Sequence, residues 1–500
     1  MTTVVAELDA PGGRKKPTFE RGSHATRWWV LGVLGLSQLM VVLDATVVNI
    51  ALPAAQQSLG FSDADRQWVV TAYALAFGSL LLLGGRLSDL FGRRTTFLIG
   101  LSGFAIASAV GGAATSFEVL VAARAGQGVF GALLAPAALS LLTVTFTEPG
   151  ERAKAFGVFG AIAGAGGAIG LLLGGVLTEY ASWRWAMYVN LIFAAVAIVG
   201  ASLLLAKHVS QTRPKLDIPG TLAATAALFS IVYGFAQAES EGWTASSTLS
   251  FLAAGAILLG VFVFLQTKVA NPLLPLRVVL DRTRAASYLA VFVVGTGMFA
   301  VFLFLTYYMQ LILGYSPIMT GVAFLPMVAA MIASSVTSAQ VLLPKIGPRI
   351  LMAGGMLIGA AGMGLLSQIA VDSSYATHVL PGLVLMGLGL GASMATAFQG
   401  ATSGVRHDDA GVASAMVNTS QQVGGSIGTA LLSTIAASAV TDYLAGKQVD
   451  ALTAAQAQVA SYTTTFWWAT AIFVVGAVVT GLLVRNEVPV ATSGEPVLAH

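Results

Sequence analysis

Again and again the chain runs for about 20 residues with almost no charge, and no other feature limits its fold so strongly. A helix rises 1.5 Å per residue, so roughly 20 apolar residues cross a hydrocarbon core ~30 Å thick. Fourteen segments meet that length, at 29–52, 67–85, 96–115, 118–143, 153–178, 186–206, 218–237, 248–268, 286–311, 318–342, 350–370, 377–400, 411–438 and 463–485. The segments at 218–237 and 411–438 are the most diluted by small and polar residues. In lipid a backbone must satisfy its own hydrogen bonds, so uninterrupted runs of this length specify helices. Only 9% of the 500 residues are charged and 56% are hydrophobic, whereas a soluble domain carries about 25% charged residues. The expected fold class is an all-α polytopic membrane protein.

Orientation follows from the basic residues, which gather in cytoplasmic loops. With the N-terminus inside, 21 of the 25 Lys and Arg fall in cytoplasmic segments or span ends. Arg66, Arg184 and Lys447 fall outside, and Arg124 lies within a span. A single miscounted span would scramble that asymmetry, so both termini are expected in the cytoplasm. No cleavable signal is visible in the polar first 27 residues, and the first span is expected to act as the targeting signal. The expected location is the cell inner (plasma) membrane.

The spans divide into a cytoplasmic tail (1–28), a six-helix bundle (29–206), a linker with two extra helices (207–285), a second six-helix bundle (286–485) and a short tail (486–500). A sequence echo supports a duplication. "DLFGRRTTFLIG" after the second span and "PKIGPRILMAGG" at the same place in the second bundle both set an Arg two residues, and a Gly eight residues, after a first Gly. Internal repeats of this kind are common in transporters.

Charges inside spans are expensive and default to function. Asp44, in "MVVLDATVVNIALP", is the acidic residue placed well inside a span, and Arg124 is the basic one. Asp44 lies ~8 Å and Arg124 ~10 Å below the outer edge of a ~30 Å core, counting 1.5 Å per residue. An acid and a base at matching depth can share one cavity. Burial favours the neutral form of an acid and a guanidinium favours the ionised form, so a carboxyl under both influences suits proton exchange. Arg does not deprotonate and would serve as a fixed counter-charge. The alternative is a permanent ion pair tying the first span to the fourth.

Other classes find little support. The net charge of +3 is too small to suggest nucleic-acid binding, and cysteine is absent. The five histidines, at 24, 208, 378, 407 and 500, lie in loops, tails or span ends. No metal site, cofactor or enzyme chemistry is expected, and no Gly-x-x-x-x-Gly-Lys-Ser/Thr motif for an ATP-driven pump is present.

"GGRLSDLFGRRTTF" between spans two and three resembles the major facilitator signature Gly-x-Leu-x-Asp-x-x-Gly-Arg-Arg through Gly85, Leu87, Asp89, Gly92, Arg93 and Arg94. "LDATVVNIALP", "RAGQGVFGA" and "WRWAMYVN" resemble first-, fourth- and sixth-span motifs of the fourteen-span drug:proton antiporters in that superfamily. "MQLILGYSPIMTGVAFLP" and "GVASAMVNTSQQVGGSIGTA" also resemble family segments. The fifth span, "GAIAGAGGAIGLLLGG", resembles the antiporter helix through Gly164, Gly170, Gly174 and Gly175, but Leu171 stands where the family has proline. Small residues there also serve close helix packing. The resemblance implies a major facilitator fold with fourteen helices, and alternating access powered by a proton gradient. It implies that Asp44 and Arg124 couple protons, and that Gly85, Asp89, Gly92, Arg93 and Arg94 latch the inner face against the second bundle.

No acid lies deep in spans nine to fourteen. Candidate substrate-lining residues are Asn49, Gln127, Met298, Phe302, Tyr307, Gln310, Asn418, Gln421 and Gln422. These suit a lipophilic or amphipathic small molecule, such as an antibiotic or a dye. Protons and the lipid bilayer are the other expected partners, and the protein is expected to be monomeric. Exporters of a lipid, siderophore or other metabolite, and nutrient symporters, share the fold and stand as alternative readings.

Overall fold

The structure is a computed structural model and describes residues 24–62, 65–146, 148–205, 217–270, 272–402, 404–405, 410–448 and 450–485. Fourteen long helices account for nearly all of the described chain. The first bundle holds α1 (His24–Leu59), α2 (Arg66–Phe91), α3 (Arg93–Gly112), α4 (Phe117–Thr145), α5 (Pro149–Tyr180) and α6 (Trp185–Leu204). The inserted pair is α7 (Ile218–Glu241) and α8 (Ser246–Lys268). The second bundle holds α9 (Arg282–Tyr307), α10 (Pro317–Thr337), α11 (Leu343–Leu366), α12 (Leu380–Thr402), α13 (Ala410–Leu444) and α14 (Ala451–Leu483).

Several helices start where a side chain can take up a free backbone N–H. Asp281 accepts from Arg284 N, Ser316 from Met319 N and Asp450 from Thr453 N. Pro317, at the first position of α10, has no N–H to leave unsatisfied. Hydropathy misses the start of α14 by twelve residues, because the helix begins at Ala451 rather than near 463. The segment "ALTAAQAQVASY" is rich in Ala and Gln, which favour a helix but are too polar to score as a span.

In the first bundle α4 packs between α2 and α3, and α1 packs on α5 and α6. The second repeats the scheme, with α12 between α10 and α11, and α9 on α13 and α14. The repeated loop motif has a repeated geometry. Gly92 (φ 87°), between α2 and α3, and Gly347 (φ 78°), at a kink near the start of α11, both take left-handed backbone, which turns the chain sharply at each point. Eight residues on, each helix meets its neighbour at a second glycine. A methyl on Gly100 would meet the Leu134 amide nitrogen at 3.0 Å, and one on Gly355 the Ser393 amide nitrogen at 2.9 Å.

The bundles touch along two flanks, α2 on α13 and α5 on α10, and α7 covers the first of these seams. Asp217, which caps α7, also accepts from Gln266 of α8 at 2.7 Å and from Leu273 N at 3.3 Å. The inserted pair is thereby fastened to the connector that leads into α9. Trp29, Leu203, Phe264 and Val475 are among many exposed apolar side chains, as expected where the surrounding solvent is lipid.

Candidate functional site

Asp44 lies in the middle of α1 and is fully buried. Its Oδ2 accepts from Arg124 Nη1 of α4 at 2.5 Å. Its Oδ1 accepts from Gln127 Nε2 of α4 and from Asn190 Nδ2 of α6, each at 2.7 Å. Arg124 also donates from Nη1 to Gln127 Oε1 at 2.8 Å and from Nε to the Val69 carbonyl of α2 at 2.9 Å. Its guanidinium lies over the Tyr73 ring, 4.4 Å from the centroid. Gln127 Nε2 donates in addition to Ser108 Oγ of α3 at 2.8 Å. Five helices therefore contribute to one buried polar cluster.

Local sequence explains why these groups meet. Arg124 and Gln127 are three residues apart, and so share a face of α4. The glycines that follow let α4 come close to α2. A methyl on Gly128 would collide with the Tyr73 carbonyl and meet Phe77 N at 2.9 Å. Gly128→Ala is therefore expected to push α2 off α4 and to carry Val69 and Tyr73 away from Arg124. Overpacking of this kind costs about 1–3 kcal/mol. It should appear as a lower melting temperature in detergent, while Gly32→Ala, with open space at its Cβ, should leave that temperature unchanged or raised.

Charge bookkeeping shows what the cluster can do. With Asp44 ionised, the pair is neutral overall. When Asp44 takes a proton, Arg124 keeps its charge, and the Val69 carbonyl, Gln127 Oε1 and the Tyr73 ring still support it. The two states therefore differ by one buried charge, which only neutral acceptors face in the protonated one. On the side away from the termini, Asp44 is followed by a small apolar cavity lined by Val48, Ala51, Leu52, Val69, Leu120 and Met187, among others. No side chain lining it is charged.

The other sequence-selected residues are scattered. On α5, methyls at Gly170 and Gly174 would strike Thr46 and Val47 of α1, and one at Gly175 would meet Ile318 of α10 at 2.6 Å. The glycine face thus seats α5 on α1 beside Asp44 and on the other bundle. Leu171 is buried, and its carbonyl faces Gly321 of α10. Gly164 falls within α5 and Asp89 within α2, and their surroundings lie outside what the structure describes. Arg94 donates to the Ser202 carbonyl of α6, within its own bundle, at 2.9 Å. Gly85 faces Pro136 of α4, and Gly92 makes the turn between α2 and α3. Arg93 is half-buried at the start of α3. Arg86 reaches the Pro272 carbonyl in the connector after α8 at 3.1 Å.

Among the candidate lining residues, Tyr307 and Gln310 reach across to the other bundle at the end away from the termini. Tyr307 Oη donates to Gln56 Oε1 at 2.7 Å, and Gln310 Nε2 to the Ile50 carbonyl at 3.1 Å. Arg66 lies over the Tyr307 ring at 4.2 Å. Phe302 packs on Phe324, Asn49 donates to its own helix at Ala45, and Met298, Asn418, Gln421 and Gln422 are half-buried. Gln127 sits in the charge cluster, with its amide committed to Asp44, Arg124 and Ser108.

Sequence reasoning gave no role to Asn190, Ser108 or Tyr73. Asn190 left a usable signal, as a lone amide in the apolar run "AMYVNLIFAAVAIV". Ser108 left none, since serines are common in these spans.

A family model described as the Major Facilitator Superfamily matches residues 34–429. A puromycin resistance protein of Streptomyces alboniger is 48% identical over 473 residues, covering 94% of each chain. A cephamycin export protein of Amycolatopsis lactamdurans is 38% identical, over 85% of this chain and 88% of its own. A tetracenomycin C resistance and export protein of Streptomyces glaucescens is 34% identical, over 89% and 81%. In fold the chain is similar to a POT family peptide transporter, with a TM-score of 0.67, 17% identity, and 94% of this chain and 99% of the other covered. It is also similar to an inward-facing bacterial homologue of the human lysosomal transporter Spinster, with a TM-score of 0.65, 18% identity, and 93% and 98% covered.

Proposed function

The chain belongs to the major facilitator superfamily, and from that premise we propose that it is a proton-driven exporter of lipophilic or amphipathic small molecules, antibiotics among them. The observation that carries this reading is the fully buried Asp44 paired with the buried cation Arg124. Ions held in such a place are costly unless they work. The resistance and export roles in the relatives' names supply the direction and the substrate class.

In this reading Asp44 exchanges protons with one side at a time. The links from Tyr307 and Gln310 to α1 hold the far end shut, and the apolar cavity beyond Asp44 keeps its proton from leaking that way. Opening there requires Tyr307 and Gln310 to leave Gln56 and Ile50. The glycine face of α5 gives the bundles a close, smooth contact on which to rock. Asp89 and the arginines beside it steady the opposite end. Met298 and Phe302 offer apolar contacts, and Asn49, Asn418, Gln421 and Gln422 amides, for the substrate. The protein works in the plasma membrane as a monomer with both termini in the cytoplasm, and it needs no cofactor beyond the proton gradient.

Reconstitution into proteoliposomes tests the reading, with puromycin as the first probe of a wider antibiotic panel. An imposed pH gradient should drive uphill movement of at least one panel compound, and a protonophore should abolish it. Transport that ignores the gradient, or absence of any transported panel compound, would count against drug:proton antiport.

A further inference from the structure

The two amides on Asp44 Oδ1 are not equivalent. Gln127 is committed on both of its polar atoms: Oε1 accepts from Arg124, and Nε2 donates to Ser108 as well as to Asp44. Turning it over would break all three contacts. Asn190 is fully buried, and its Nδ2 donates to Asp44. Its Oδ1 has no hydrogen-bond partner among the described residues. A buried acceptor without a partner is rare and calls for an explanation.

The terminal torsion of asparagine is roughly two-fold, so a half-turn exchanges its N–H and C=O groups at little cost. With Asp44 ionised, only the N–H orientation is favourable. With Asp44 protonated on Oδ1, that N–H would face an O–H, and the flipped orientation would present Oδ1 as the acceptor. We propose that Asn190 is a positioning residue that follows the protonation of Asp44, donating to the carboxylate and, after an amide flip, accepting from the carboxylic acid. A proton from the open side adds to Asp44 Oδ1, and no bond forms or breaks at Asn190. The flip turns a charge change on α1 into a rearrangement on α6. This inference rests on the reading that Asp44 titrates during transport.

The groups facing Asp44 leave Asn190 as the adaptable one. On α4 the facing charge is Arg124, and on α2 the titratable neighbour is Tyr73 under that guanidinium. The remaining charged residues of α2 and α5, and those of α3 and α9, lie at or near helix ends; Arg184 precedes α6, and α10 carries none.

Infrared difference spectroscopy between alkaline and acidic pH can read the flip. The full-length protein would be reconstituted in lipid with carbon-13 in its asparagine side-chain carbonyls, of which there are five. Acidification should produce a protonated-carboxyl band that Asp44→Asn lacks. In step with it, one labelled amide band should move to lower frequency as its oxygen gains a hydrogen bond, and Asn190→Leu should lack that movement. A carboxyl band with no amide movement overturns the inference and leaves the proton-carrier reading standing, whereas absence of the carboxyl band overturns both. Transport gives a second readout. Asn190→Leu removes one bond from each state, the stronger being the one to the carboxylate, so its midpoint should move upward by clearly less than that of a variant that loses a fixed donor. Gln127→Leu removes the fixed donor to the carboxylate together with the contacts to Arg124 and Ser108, so its midpoint should move upward. An equal upward shift in Asn190→Leu would make Asn190 a fixed donor and overturn the flip.

Discussion

Asp44→Asn is expected to abolish uphill efflux while leaving a folded protein in the membrane. The substitution keeps the volume of the side chain and still offers Arg124 an oxygen, but it removes the group that takes and releases a proton. Export driven by a pH gradient should fall to background, and substrate-induced proton release should vanish with it. Binding of an uncharged substrate should survive, because such a molecule does not need the carboxylate. The same proteoliposome assay decides the matter. Wild-type efflux rates in Asp44→Asn would falsify the proton-carrier role and leave the Asp44–Arg124 pair as a structural tie between α1 and α4.

Arg124→Ala should have the largest effect on stability. It strands a carboxylate that is fully buried, and removal of one partner from a buried pair costs about 3–5 kcal/mol. Gln127 and Asn190 remain as neutral donors, but they cannot replace a full charge. The melting temperature in detergent should drop at neutral pH and recover as the pH falls, since protonation removes the stranded charge. Adding Asp44→Asn to Arg124→Ala should restore much of the loss, as it removes the charge by mutation. Any residual transport in Arg124→Ala should have its pH optimum displaced upward. Arg124→Lys keeps the charge but loses the fork that reaches Asp44, Gln127 and Val69 together, so partial activity is expected. A double variant no more stable than Arg124→Ala would show that lost packing, and not the stranded charge, carries the cost.

Hydropathy was enough to mark where the long helices run, because crossing a bilayer demands a run of apolar residues whatever the packing. The same counting singled out Asp44 and Arg124, since an ion in such a run is rare and stands out without any knowledge of its neighbours. The repeat of Gly92 and Gly100 at Gly347 and Gly355 was also legible, because positive φ and close helix approach both call for glycine. The start of α14 was not, because helix propensity and lipid solubility part company at Ala451–Tyr462.

Only the tertiary structure decided which side chains meet. In a soluble helix the polar face marks the outside, but in lipid both faces are apolar, so the sequence does not reveal which of them packs. Tyr307 and Gln310, expected among the substrate contacts, bond across the bundle interface to Gln56 and Ile50, which no local pattern announces. Gln127, expected among them too, lies three residues from Arg124 on the face that meets Asp44. Asn190 comes from α6, 146 residues along the chain from Asp44, and nothing in the local pattern of either helix encodes that meeting. Sequence alone determined that a buried acid and a buried base exist at matching depth. Helix packing, through glycines that let α1, α2, α4 and α5 approach closely, decided that they touch and which neutral groups complete their hydrogen bonds.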